Sequence, residues 1–243
     1  MYGSRWKQCA VAAQQNLIVS ETLTSCAMKQ LDNTADVAFV RLITAIHTRL
    51  MSTAGPVVVA IDGRSGTGKS TLAAQLATQF PAVVVPCDDF FAANIPAQGW
   101  AERSPAARAA DCIDWRLLRC EAIEPLRAGR PGRWHAFDFA RGAATDGTYA
   151  RSATMTVCAP HRVVLLDGTY AARPELADIV DVAVRSEAAP EVRADRLRAR
   201  EAAELLAEWH ARWDAAEAHY FTVIRPRETF EFVLTSAASV PAR

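Results

Sequence analysis

The chain has 243 residues, 51% of them hydrophobic and 22% charged, which is enough apolar material for a real core and too much for global disorder. Lys+Arg and Asp+Glu both number 27, so the net charge is zero and gives no standing pull toward nucleic acid or an anionic membrane. No apolar run approaches the roughly 18 residues of a membrane span. The six cysteines (Cys9, Cys26, Cys87, Cys112, Cys120, Cys158) are scattered without a C-x-x-C pair, as expected of a reduced cytoplasmic protein.

Residues 1–34 are polar with weak periodicity and read as a partly disordered extension. From Ala35, the residues Val37, Val40, Leu42, Ile43, Ile46 and Leu50 fall near one helical face, predicting a helix near 35–51 packed on the main domain. On this reading residues 1–54 are an N-terminal extension and 55–243 the main domain. Strands and helices then alternate. "PVVVAID" (56–62) is a buried-type strand, 70–80 a helix and "AVVVP" (82–86) a second strand. A helix follows over 114–128, with Leu117, Leu118, Ile123 and Leu126 near one face. "RVVLLDG" (162–168) and "VDVAV" (180–184) are further strands. Pro190 opens a helix as its first residue. Leu206, Trp209, Trp213, Ala216 and Tyr220 make a stripe at helical spacing, and "TFEFVL" (229–234) is a last strand. Continuous apolar strands separated by helices predict a parallel sheet covered on both faces.

Between the first strand and its helix, Gly63, Gly68, Lys69 and Ser70 fit G-x-x-x-x-G-K-[ST]. Glycines let the backbone curl so that successive N–H groups point at a phosphate, and the helix that starts there adds its positive end. The expected nucleotide-binding set is Gly63, Arg64, Ser65, Gly66, Thr67, Gly68, Lys69, Ser70 and Thr71. Lys69 would reach the β/γ-phosphates and Ser70 would hold Mg²⁺. The motif alone does not separate kinases from ATPases or switches.

Other acids follow the strands. Asp88 and Asp89 come directly after the second strand, where ligands sit in a doubly wound sheet. A kinase needs one carboxylate there to accept the proton of the attacking hydroxyl; otherwise the pair caps a turn. Phe90 and Phe91 either pack in the core or stack on a substrate ring. Asp167, ending "RVVLLD", stands where a phosphate-loop enzyme holds Mg²⁺ directly or through water. Arg193, Arg196 and Arg200 share a helix face; they either clamp phosphates or form a solvated face paired with Glu191, Asp195 and Glu201.

The ordered set of P-loop, "DDFF", "DCIDWRLLRCEAIEPLRAGRPGRWHAFDF", "VVLLDGTYAARPELADIVDVAV" and "RADRLRARE" resembles the uridine kinase-like branch of P-loop kinases over roughly Val57 to Leu234. That branch includes phosphoribulokinase and bacterial pantothenate kinase relatives. The resemblance implies an α/β fold, a P-loop NTPase three-layer α/β/α sandwich with a five-stranded parallel sheet and a helical lid. It implies transfer of the γ-phosphate of ATP, with Mg²⁺, to the hydroxyl of a small molecule. Asp88 matches the family's general base and Asp89 takes the next place. Asp111 matches best the acid that binds the acceptor's ribose hydroxyls, with Asp114 as the alternative. Phe137-Asp138-Phe139 resembles the aromatic stretch bordering the acceptor. Arg196 and Arg200 match the first and last arginines of the lid.

The chain departs from the family at Phe137, where uridine kinases carry Tyr, and after Phe139, where no His follows. It departs again at Leu197, Glu201 and Asp167-Gly168. The phosphate machinery therefore carries over better than acceptor specificity. A nucleoside-like acceptor leads, and a pantothenate-like or sugar-like alcohol is the alternative. A P-loop ATPase or switch acting on a protein is the reading from another class. Neither nucleic acid nor membrane is an expected partner, and the oligomeric state stays open.

Overall fold

The computed structural model describes residues 34–200 and 212–236, with only the backbone of residues 34, 35 and 200. The predicted extension at 1–33 and two stripe residues, Leu206 and Trp209, lie outside the described residues. Among the described residues no helix is long and apolar enough to cross a membrane.

A parallel five-stranded sheet in the order β2-β5-β1-β6-β7 forms the centre. Its strands are β1 (Val57–Asp62), β2 (Ala82–Pro86), β5 (Val163–Asp167), β6 (Val182–Glu187) and β7 (Phe232–Thr235). β1 is buried along its whole length, as a central strand covered on both faces must be. Its side chains alternate between two cores. Val58 and Ala60 join a large core that also holds Phe90, Trp100, Leu118 and Trp134. Val57, Val59 and Ile61 join a second core with Leu72 and Leu76. The result is the expected three-layer α/β/α sandwich.

Helix α1 (Thr34–Ser52) belongs to the outer layer on the second side. Leu42 and Ile46 are fully buried there, with Phe39, Ile43 and Leu50 packed against that core. Val37 and Val40, expected on the packed face, are 41% and 45% exposed. The helix docks by the stripe Phe39, Leu42, Ile43, Ile46 and Leu50. Arg49 pairs with Glu231 at 2.8 Å, and Arg162 donates to the carbonyls of Leu50, Thr53 and Ala54.

Helix α2 (Lys69–Gln79) follows the Gly-rich loop. A 3₁₀ turn (Cys87–Phe90) follows β2, and two short helices come next, α3 (Ala97–Glu102) and α4 (Pro105–Asp111). The helix expected over 114–128 is present as α5, made of Trp115–Leu117, a π-wound Leu118–Ile123 and Glu124–Arg127. α6 (Pro190–Arg200) starts at the proline. α7 covers residues 212–219 and continues as a π segment, Tyr220–Ile224. Trp213, Ala216 and Tyr220 of the predicted stripe are buried in the large core.

The structure differs from the sequence reading at several places. β6 begins two residues later than expected, because Asp181 is spent on β1. Its amide donates to Val58 O at 2.9 Å and its carboxylate accepts from Val58 N–H at 2.7 Å. The strand then runs on to Glu187, pairing with β7 from Val184 to Glu187, and the Arg185 guanidinium covers the Phe221 and Phe230 rings. β7 is shorter at its start, with a 3₁₀ turn at Arg227–Thr229 ahead of it. The antiparallel hairpin β3 (Gly132–Phe137) and β4 (Arg151–Cys158) was not foreseen. Its strands mix polar residues on both faces, and the residues joining them are too many for the two-residue turn that marks a hairpin.

The large core closes tightly under the ends of β2 and β5. A Cβ at Gly168 would lie 2.6 Å from the Cβ of Cys87. We expect Gly168→Ala to cost about 2–3 kcal/mol of stability through overpacking, read as a lower denaturant midpoint with unchanged m-value.

Candidate phosphate-binding and carboxylate site

The phosphate loop bends between the last residue of β1 and the first turn of α2. Gly63, Gly66 and Gly68 all take positive φ, which only glycine adopts readily. Gly66 has a second constraint: a Cβ there would lie 3.0 Å from Arg193 O and 3.2 Å from Leu197 Cγ. The lid helix α6 thus rests directly on the loop tip. Arg193 Nε donates to Ser65 O at 2.8 Å. Arg196 Nη1 donates to Gly66 O at 3.2 Å and to Ser236 Oγ at 2.9 Å. A cleft lined by Gly66, Gly68, Lys69, Ser70, Thr71, Arg196 and Leu197 opens here. The predicted nucleotide residues and the first lid arginine are therefore brought together. The side chain of Arg200 lies outside the described residues.

Lys69 Nζ donates to Gly63 O at 2.9 Å, Arg64 O at 3.2 Å and Thr169 Oγ1 at 3.2 Å. Thr67 is buried; its hydroxyl donates to Arg64 O at 2.8 Å. Its carbonyl accepts from the hydroxyls of Ser186 and Ser236, both at 3.0 Å.

The strand register sets the acids beside this loop. Ile61 of β1 and Pro86 of β2 are both register partners of Asp167 in β5. The 3₁₀ turn carrying Asp88 and Asp89 therefore leaves the sheet level with Asp167 and one residue short of Asp62. Burial pushes the Cys87 thiol up, and Asp88, Asp167, Asp62 and Asp89 add to it in that order. Four carboxylates thus act on one sulfur.

Burial raises the Asp167 carboxyl, while the Ser70 hydroxyl and the Lys69 ammonium draw it down. Its Oδ1 is buried without a hydrogen-bond partner among the described residues. Asp88 is exposed, and its carbonyl accepts from Phe91 N–H at 3.1 Å. Asp89 faces the hairpin: the Trp134 indole donates to Oδ2 at 2.7 Å, and Arg151 donates to its carbonyl at 3.1 Å. Burial raises the Asp89 carboxyl against these two partners.

The acids expected at the acceptor lie alongside. Phe91 and Ile113 form an antiparallel bridge, and Asp114 N–H donates to Phe90 O at 2.8 Å, so the 111–114 segment lies against the Asp88 turn. Asp111 pairs with Arg103 at 2.9 Å. Asp114 caps α5 by accepting from Leu117 N–H at 3.0 Å, as an N-cap aspartate does. Phe91 stands 5.0 Å from Phe137 and 5.8 Å from Phe139 between ring centroids. Phe91 and Phe137 are buried, whereas Phe139 is 51% exposed. Trp100 and Trp213, not foreseen as members, also pack on Phe91 at 5.2 and 5.4 Å.

The residue that sequence reasoning missed is Asp62. It is fully buried. Its Oδ1 accepts from Gly63 N–H and Tyr170 N–H, both at 2.8 Å. Its Oδ2 accepts from Ala172 N–H at 3.0 Å and Tyr220 O–H at 2.9 Å. Burial raises this carboxyl, and the four donors oppose that rise. The signal was an acid closing an otherwise apolar strand just before the first glycine of the loop.

No family model matches the chain, and no curated protein sequence matches it. Several solved structures are similar, among them the following two. One is described as a possible uridine kinase from Bacillus stearothermophilus: 18% identity, 80% of this chain and 99% of that chain covered, TM-score 0.54. The other is a candidate fructose transport system kinase from Silicibacter sp. TM1040: 26% identity, 75% and 87% covered, TM-score 0.48. At such identities the likeness to the first establishes a shared α/β fold.

The Tyr220–Asp62 bond joins the C-terminal helix to the loop. We expect Tyr220→Phe to lose about 2 kcal/mol, the range of a hydrogen bond to a charged group, measured by chemical denaturation at neutral pH.

Proposed function

We propose that this chain is an ATP-dependent, uridine kinase-like phosphotransferase acting on a hydroxyl of a small molecule. The supporting observation is the alignment of three neighbouring strand ends. The phosphate loop follows β1, Asp167 ends β5, and the Asp88 turn follows β2. A triphosphate's end and an alcohol need that juxtaposition for in-line transfer.

The N–H groups of the 63–71 loop, other than those of Gly63 and Ser65 that Asp62 and Glu217 already hold, cradle the phosphates, and Lys69 neutralises charge between β and γ. Ser70 and Asp167 suit a hard cation such as Mg²⁺, since Asp167 keeps a buried oxygen without a partner among the described residues, beside the Ser70 hydroxyl. When bound, Mg²⁺ supplies neutralisation of charge on the phosphate oxygens. Asp88 accepts the proton of the attacking hydroxyl. Arg196 and Arg200 close over the transferring group and exclude water. Asp89, Phe91, Asp111, Asp114, Phe137 and Phe139 border the acceptor, a nucleoside-like compound or another small alcohol.

The deciding experiment is ADP release from ATP across a panel of nucleosides, vitamins and sugars. Stimulation by one compound, with its phosphorylated product, supports the kinase. Steady basal turnover raised only by a protein partner overturns it in favour of a switch. Asp88→Asn should keep ATP affinity within about twofold and lower transfer by roughly 10²-fold or more; transfer at the wild-type rate refutes Asp88 as base. The pH dependence has a defined sign. Because burial raises the Asp167 carboxyl, it protonates at a higher pH than a free aspartate. The gain in ATP affinity from Mg²⁺ should therefore disappear on acidification before an unperturbed aspartate would titrate, as read by calorimetry across pH.

A further inference from the structure

The other side of the phosphate loop carries a charged cluster that the proposed transfer reaction does not use. Helix α7 presents Asp214 and Glu217 to it. Glu217 is 4% exposed. Its two carboxylate oxygens both accept from Ser65 N–H at 3.2 Å, and Oε1 accepts from Ser65 Oγ at 2.5 Å. Two guanidinium groups flank it, Arg64 Nε at 3.4 Å and Arg193 Nη2 at 3.7 Å. Asp214 takes the same two arginines at 2.9 and 3.4 Å. The helix is held in place three residues beyond Glu217, where Tyr220 bonds Asp62.

Ser65 N–H and Arg64 C=O belong to one peptide unit, and no peptide among the described residues is cis. In a trans peptide these two groups point in opposite directions. Lys69 Nζ sits on the Arg64 oxygen at 3.2 Å. The order is therefore carboxylate, peptide N–H, peptide C=O, ammonium. An anion at the positive end of a peptide dipole and a cation at its negative end strengthen each other's hold. An ammonium has three protons to donate, and Lys69 has three acceptors here: Gly63 O, Arg64 O and Thr169 Oγ1. To meet a terminal phosphate, it must leave at least one of them.

We propose that Glu217 is a positioning residue for Lys69: by gripping Ser65 it fixes the Arg64–Ser65 peptide with its carbonyl on the ammonium, holding Lys69 on the loop until a triphosphate draws it away. The inference rests on the reading of this loop as a triphosphate site. It makes Glu217 a determinant of triphosphate affinity without contact to the nucleotide. A group that merely shaped the loop would act independently of Lys69. Glu217 acts through it.

The test is a double-mutant cycle on Mg·ATP affinity in the full chain, by calorimetry. Glu217→Gln keeps an acceptor for Ser65 and removes the charge. It should tighten Mg·ATP binding about fivefold, and by less than about twofold in a Lys69→Met background. Glu217→Asp keeps the charge but draws the carboxylate back toward the α7 backbone, away from Ser65 and from the two arginines. It should tighten binding in the same direction, and it carries the test if the first variant does not fold. Unchanged or weaker binding in these variants, or an equal gain with and without Lys69, overturns the inference. A wild-type protein that binds no nucleotide overturns the phosphate-loop reading and this inference with it.

Discussion

One buried carboxylate holds the site together. Asp62 accepts four hydrogen bonds from three separate stretches of chain: the loop start at Gly63, the segment after β5 at Tyr170 and Ala172, and the C-terminal helix at Tyr220. A fully buried charge is costly unless such donors surround it, so these stretches are bound to one another through it. Tyr170, the non-glycine residue with φ of 73°, is tied down by this contact. A residue in that region persists when its surroundings over-determine it. The loop's entry, the floor beside Asp167 and the helix bearing Glu217 are thereby fixed in one frame.

Around that frame, the parallel register decides which groups meet. Asp167 is abreast of both Ile61 and Pro86, so the segments leaving β1, β2 and β5 emerge at one edge of the sheet. Gly168 lets the Cys87 turn approach to a distance that any Cβ would block. Burial and the neighbouring acids push the Cys87 thiol up. The same proximity that suits phosphate chemistry is costly for the folded chain, and it is opposed by Lys69, Ser70 and the backbone donors.

The two sides of the cleft are built differently. On the phosphate side, backbone geometry dominates, and the lid helix contacts loop carbonyls through Arg193 and Arg196. On the opposite side, an aromatic group of Phe91, Phe137, Trp100 and Trp213 is mostly core, with the open ring of Phe139 at its edge. Asp89 is bound to Trp134 of the hairpin and Asp114 to the start of α5. Both acids are thus held by neighbouring elements.

The sequence by itself determined the Gly-rich loop, the parallel strands β1, β2 and β5 and the helices after them. Glycine spacing, continuous apolar runs and helical periodicity are local signals that need no partner to be read. It also marked Asp167, which ends a buried strand, and Asp88, two residues past one; Asp62 has the same local signature as Asp167, but its four donors appear only in the fold. Only the tertiary structure decided the hairpin, the start of β6 and the packed face of α1. Asp181 is held by Val58 of β1 through both its amide and its carboxylate, and Val37 and Val40 turn outward because they lie off the stripe of Phe39, Leu42, Ile43, Ile46 and Leu50 that packs on the core. Only the folded chain could also bring Glu217 and Tyr220 to a loop some 150 positions earlier. Pairing between distant residues depends on how the layers stack, and no local pattern encodes it.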